Sequence, residues 1–190
     1  MSHVEQFEQL FAKLDGLNWT ISRLSNGKFD ASGLIASVFT DRKALLCTAE
    51  ERVELLKFVD EIATLISLSR MQGLLALPSK LEGLEAVKRG KIFTKLLVYV
   101  VDGFSPDELT EIAHNELIAV AAGTNTEDSP LRAAISVIGA ACLYAGDVLA
   151  LVNAKLSPLL GVEQAVSDEQ FEKAAEAMRK FMERTQFAAK

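Results

Sequence analysis

The sequence predicts an all-α fold of about eight helices packed as an irregular bundle. Apolar residues recur at the helical spacing of about 3.6 residues, and Ser/Thr-x-x-Glu/Gln capping boxes mark several helix starts. Strand-like runs that alternate apolar and polar residues are absent from the sequence. The 190 residues, 49% of them hydrophobic, suffice for a sizeable core. We therefore expect one helical domain over residues 1–190, with 168–190 as a candidate C-terminal helical arm.

The first three of these predicted helices span 3–25, 31–39 and 49–77. The first carries an apolar stripe and stops at Asn26-Gly27, where glycine can adopt a left-handed cap. Thr48-x-x-Glu51 predicts the start of the third. The stripe of the first helix consists of Phe7, Leu10, Phe11, Leu14, Leu17, Ile21 and Leu24.

The other predicted helices span 80–88, 91–102, 106–122, 130–154 and 168–188. The run Leu96–Val101 could also form a strand, but helical spacing gathers its apolar residues on one side, so we prefer a helix. Ser105 and Glu108 form a capping box, and Pro130 suits a first helical position.

The apolar run 133–151 is nearly as long as the roughly 20 residues of a membrane-spanning helix. Arg132 precedes it and Asp147 interrupts it. We interpret it as a core helix, and a membrane-associated subunit that uses 133–151 as a span stays as an alternative.

Composition excludes several function classes. The net charge of −6 argues against a nucleic-acid-binding protein, which needs a basic surface. Two cysteines and two histidines cannot supply a nucleophile–base pair or a metal site, so we expect no enzymatic activity, no catalytic residues, no metal and no cofactor. The N-terminus lacks the pattern of a signal peptide, which predicts a cytoplasmic location.

Charge along the chain changes sign abruptly. The segment 80–95 is basic, and the segment 102–128 is acidic. These segments could pair with each other, or the basic one could contact an acidic partner. Arg70 is a separate candidate, because it lies on the apolar row of its helix. The candidate partner-binding residues are Arg70, Lys80, Lys88, Arg89, Lys91 and Lys95.

Residues 68–77, L-S-R-M-Q-G-L-L-A-L, resemble the R-x-x-G-L-L-A-L segment of the MotA/TolQ/ExbB family, which contains the bacterial flagellar stator protein. As in that family, a short hydrophobic helix, a Val-Asp-Gly turn at 101–103 and an acidic helix follow. The resemblance covers about 48–155, with 133–151 in the place of the third membrane helix. The first two membrane helices have no counterpart. Arg70 matches an arginine that meets the rotor, and Pro78 replaces the family's glutamate.

The resemblance implies a soluble relative of the stator's cytoplasmic region. We therefore expect a non-enzymatic protein that acts through contacts with an acidic protein surface, such as the flagellar rotor or another motor component. Self-association into a homo-oligomer stays open. A carrier of an apolar small ligand or lipid, with a groove beside helix 133–151, is an alternative.

Overall fold

The computed structural model describes the backbone of residues 28–81 and 83–188, and their side chains except at 80, 181, 182 and 184–188. The predicted helix 3–25 lies outside the described residues. Eight α-helices and three short 3₁₀ turns, at Arg42–Leu45, Leu74–Ala76 and Pro78–Lys80, occupy the described part, which contains no strand. The prediction of an all-α fold is confirmed. The helices are α1 Ala31–Val38, α2 Ala49–Gln72, α3 Glu85–Arg89, α4 Lys91–Val101, α5 Pro106–Ala121, α6 Pro130–Ala145, α7 Leu149–Leu160 and α8 Asp168–Ala188.

Two of the predicted helix starts form as expected. The Thr48 hydroxyl accepts from the Glu51 N–H at 3.1 Å. Ser105 and Glu108 complete a capping box, and the hydrogen bonds from Ser105 lower the pKa of the Glu108 carboxyl. These bonds satisfy N–H groups that have no partner within the helix.

Helix α6 is the centre of the core and packs against α1, α2, α4, α5 and α7. Every residue from 131 to 143 except Arg132 is buried. Gly139 lets the neighbouring helices approach closely, because a Cβ there would lie 3.0 Å from Ile62 and 3.2 Å from Phe93. The most apolar stretch of the sequence is thus interior.

The predicted helix 130–154 is wrong in one respect, because it is two helices. Gly146 adopts a left-handed conformation with φ of +67°, which ends α6 and lets α7 start at Leu149. The run 133–151 therefore spans a break. Among the described helices, none combines the length and the apolar character needed to cross a membrane.

The predicted helices 49–77 and 80–88 are both too long. Gly73, with φ of +81°, ends α2 at Gln72, because a left-handed glycine terminates a helix. Two 3₁₀ turns follow, and α3 begins only at Glu85.

We expect Asp147→Asn to lower the free energy of unfolding by about 1–2 kcal/mol. Asp147 accepts a hydrogen bond from Lys155 across the α6–α7 break, and its side chain is only 11% exposed. The neutral amide loses the charge of this pair. Urea unfolding of this variant is compared with that of Glu169→Gln, which breaks the exposed Glu169–Lys173 pair on α8. Equal, small losses in both variants would contradict a structural role for Asp147.

Candidate functional site

Four basic side chains from three helices line one surface depression of about 380 Å³, together with Glu127. Lys88 and Arg89 come from α3, Lys91 is the first residue of α4, and Arg132 lies in the first turn of α6. We call Lys88, Arg89, Lys91 and Arg132 the basic cluster. Three of the predicted partner-binding residues meet there. Arg132 was not among the candidate partner-binding residues. The signal for it in the sequence is a cation in the first turn of a predicted helix, where the helix dipole does not favour positive charge.

A rigid aromatic core supports the basic cluster. The Arg132 guanidinium lies 5.0 Å from the centroid of the Phe58 ring, within cation–π range. Phe58 is fully buried and meets Phe93 edge-on, with ring centroids 5.9 Å apart. Gly90 sits so close that a Cβ there would be 2.7 Å from Phe58 Cζ. The turn between α3 and α4 therefore packs closely against the Phe58 ring.

Asp128 supplies the N-terminal cap of α4 from a distant part of the chain. Its Oδ2 accepts the Ile92 N–H at 2.9 Å, whereas Gly90, the local cap residue, has no side chain to do so. Asp128 is 2% exposed, and burial raises the pKa of its carboxyl. This bond ties the α5–α6 connection to the start of α4, at the residue that follows Lys91.

Acidic neighbours hold two members of the basic cluster in place. Arg89 pairs with Glu54 of α2 at 3.1 Å, and Lys88 pairs with Glu85 at 3.1 Å. The pKa of the Glu54 carboxyl is lowered first by its hydrogen bond from Lys57 and further by Arg89. Lys91 is exposed and forms no ion pair within the described residues.

Lys95, one turn beyond Lys91, is part of a different arrangement. It donates to Glu116 of α5, and this hydrogen bond raises the pKa of its ammonium group. The basic and acidic segments thus pair at this point. The side chain of Lys80, the remaining basic candidate, lies outside the described residues.

Arg70 lies far from the basic cluster. It is in the last turn of α2, sixteen residues after Glu54, which is about 24 Å along a helix. Its guanidinium donates to the carbonyl oxygen of Gly146 at the end of α6. A cation there satisfies an otherwise unpaired carbonyl and favours the dipoles of both helices.

An apolar groove of about 280 Å³ borders Arg70. The start of α7 contributes Val148 and Leu149, and α8 contributes Phe171 and Met178. Helix α8 is anchored alongside α2 by a hydrogen bond between Thr64 and Gln170 at 3.0 Å. Phe171 and Ala174 of α8 are half-buried there, whereas Met178 is 38% exposed.

Two adjoining grooves of about 390 Å³ each lie beside α6, between α1 and α7. They share Ser32, Ile138 and Lys155, and we call them together the α1–α7 groove. Ile35, Phe39, Leu45, Leu46 and Leu159 line one half. Lys28, Phe29, Asp30 and Ala141 line the other. The alternative function of an apolar-ligand carrier would use this groove.

The described part of the chain offers few side chains that could act as a nucleophile or as metal ligands. Burial raises the pKa of the Cys142 thiol to about 12, so its nucleophilic thiolate is scarce at neutral pH. Within residues 28–81 and 83–188, no group of three or more His, Cys, Asp or Glu side chains could hold a metal ion.

Comparisons with protein-family models, with curated proteins and with solved structures find no match to this chain. The resemblance to the MotA/TolQ/ExbB family stays a prediction that rests on residues 68–77 and the features that follow them.

Proposed function

We propose that this chain is a non-enzymatic protein that acts by docking a protein partner with an acidic surface at the basic cluster. One observation carries the proposal, namely that four bases from three helices meet on one depression of a chain with a net charge of −6. An acidic partner is repelled by most of such a surface and attracted at this position. Charges arranged in this way orient the partner and speed association more than they add affinity.

The construction of the basic cluster supports docking. Arg132 rests on the buried Phe58 ring, and Arg89 is paired with Glu54, so both guanidinium groups are held before a partner arrives. A surface ordered in advance loses less side-chain entropy on binding. Lys91 keeps its charge free for the partner.

We further propose that the partner is a component of the flagellar motor, as the resemblance of residues 48–155 implies. Arg70 would contribute a second contact, because an arginine has five N–H donors and the bond to Gly146 uses one of them. The apolar groove beside Arg70 adds surface for the same partner.

We expect Lys88→Glu/Lys91→Glu to weaken binding to the partner at least tenfold, whereas Lys173→Glu/Lys180→Glu binds like the wild type. Each double variant makes the chain four charges more negative. The first breaks one helical ion pair, Lys88–Glu85, and the second breaks two exposed ones on α8. Only the first changes the basic cluster. The measurement is co-purification of flagellar rotor and stator proteins with the tagged chain from its native cell, followed by affinity measurement with the recovered partner.

Two results would contradict the proposal. One is equal recovery of the partner by a well-folded Lys88→Glu/Lys91→Glu variant, with thermal unfolding as the check on folding. The other is an association rate that does not fall as salt rises, since steering by exposed charges is screened within about 8 Å at physiological ionic strength. If the wild type recovers no motor protein, the motor assignment is wrong, and docking of an acidic partner is then tested with other recovered proteins.

A further inference from the structure

One row of exposed side chains runs along the outer side of α4. The exposed residues of 91–102 are Lys91, Lys95, Val98 and Asp102, and the others are buried or half-buried. Their spacing of four, three and four residues keeps them on one side of the helix, over a length of about 16 Å. Val98, near the middle, is 51% exposed. We call these four residues the α4 row.

The two ends of the α4 row carry charges that α4 itself disfavours. Lys91 is the first residue of the helix, and Asp102 is its C-cap. The helix dipole favours an anion at the N-terminus and a cation at the C-terminus, so both charges have the wrong sign for their positions. Both side chains are exposed, and neither forms an ion pair with any described side chain. The fold of a single chain therefore leaves both charges uncompensated.

We propose that a second copy of the chain docks on the α4 row, with the two α4 helices antiparallel about a twofold axis. The axis passes midway between positions 95 and 98, and positions 91 and 102 are symmetric about the same point. Lys91 of each copy therefore meets Asp102 of the other, and Lys95 of each copy meets Val98 of the other. The row is thus complementary to itself, as an interface between two identical surfaces requires.

The antiparallel arrangement compensates both ends of the helix. It places Asp102 and the negative end of one α4 dipole beside Lys91 and the positive end of the other. Val98 packs against the aliphatic part of Lys95 from the other copy, whose ammonium group is held by Glu116 of its own chain. A different partner would need a base, an apolar side chain and an acid in the matching order, and a second copy supplies exactly this order.

The dimer goes beyond the proposed function and does not rest on it. A stable interface buries about 1,200–2,000 Å² in total, and a single row of four side chains is smaller, so we expect a weak dimer that dissociates on dilution. Lys91 also belongs to the basic cluster, so a second copy and an acidic partner compete for it. Val98 and Asp102 lie outside the basic cluster and allow the two contacts to be tested separately.

The first test is sedimentation velocity of the full chain at concentrations up to about 1 mM. Val98→Lys places a lysine opposite Lys95 of the other copy, and we expect it to weaken dimerisation at least tenfold. Ile118→Lys is the matched control, because Ile118 is a 46% exposed residue of α5 outside the α4 row. It should dimerise like the wild type.

The second test exchanges the charges at the two ends. Lys91→Asp and Asp102→Lys should each be monomeric, because like charges meet twice in either homodimer. Both substitutions suit the α4 dipole, so neither endangers folding. An equimolar mixture restores both opposite-charge pairs, and a tagged Lys91→Asp chain should capture at least tenfold more of the Asp102→Lys chain than of Glu111→Lys. Glu111→Lys makes the same charge change at an exposed position of α5.

Three results would overturn the proposal. A wild type that stays monomeric up to about 1 mM would show that no second copy docks. Equal dimerisation of Val98→Lys and Ile118→Lys would place the interface elsewhere. Equal capture of the Asp102→Lys and Glu111→Lys chains would exclude the antiparallel register. Failure of the basic cluster to bind an acidic partner is a separate result, because Val98→Lys keeps that cluster intact.

Discussion

Phe58→Ala is expected to lower the free energy of unfolding by about 3–5 kcal/mol, the largest effect that we predict for one substitution. The side chain is fully buried, and its ring contacts Phe93 and carries the Arg132 guanidinium. Truncation removes apolar burial and leaves a cavity beneath the basic cluster. Chemical denaturation measures the change.

The control for Phe58→Ala lies on the same helix. Val53 of α2 is 54% exposed, so Val53→Ala should cost less than about 0.5 kcal/mol. A loss below about 1.5 kcal/mol for Phe58→Ala would mean that the aromatic core does not support the α3–α4 turn as described.

Gly90→Ala is expected to lower the free energy of unfolding by about 1–3 kcal/mol through overpacking. The φ of Gly90 is −80°, which any residue adopts, so the cost is steric. The new methyl group would meet Phe58 Cζ at 2.7 Å and Cε2 at 2.8 Å. Phe58 is locked in the core and cannot move aside cheaply.

A double-mutant cycle tests this steric origin. Phe58→Leu shortens the side chain that collides with the new methyl group, so Gly90→Ala should cost at least about 1 kcal/mol less in the Phe58→Leu background. Additive losses would show that Gly90 acts through something other than its contact with Phe58.

Local patterns predicted most of the fold. Helix α4 was correctly preferred to a strand, because the apolar residues of 91–102 recur at helical spacing. The break at Gly146 was missed, since a glycine in an apolar run is compatible with a continuous helix. Contacts from elsewhere stabilise the break, namely Arg70 on the Gly146 carbonyl and Lys155 on Asp147. A sequence window does not contain these contacts.

In the candidate site, too, the sequence predicted what is local and missed what depends on contacts between distant parts of the chain. Lys88, Arg89 and Lys91 were predicted together because they are neighbours in sequence. Arg132 joins them only through the packing of α6, about forty residues later, and its contact with Phe58 is a tertiary one. Arg70 was a separate candidate for contact with the same partner, and the length of α2 separates it from the basic cluster. The separation follows from the distance along α2, which a pattern of charges in the sequence does not show.

The contact between α2 and α8 has a consequence for the order of events during synthesis. The Asp60 carboxylate accepts from the Ser167 N–H, and Thr64 bonds Gln170, so the two helices join across more than 100 residues of chain. At about 5–20 residues per second, α8 leaves the ribosome about 5–20 s after the segment of α2 that it covers. Until then, the sides of Ser67 and Met71 that face the groove at Arg70 are open to chaperones or to a second nascent chain. That groove is therefore completed late, after the basic cluster, whose parts end at Arg132, has already been synthesised.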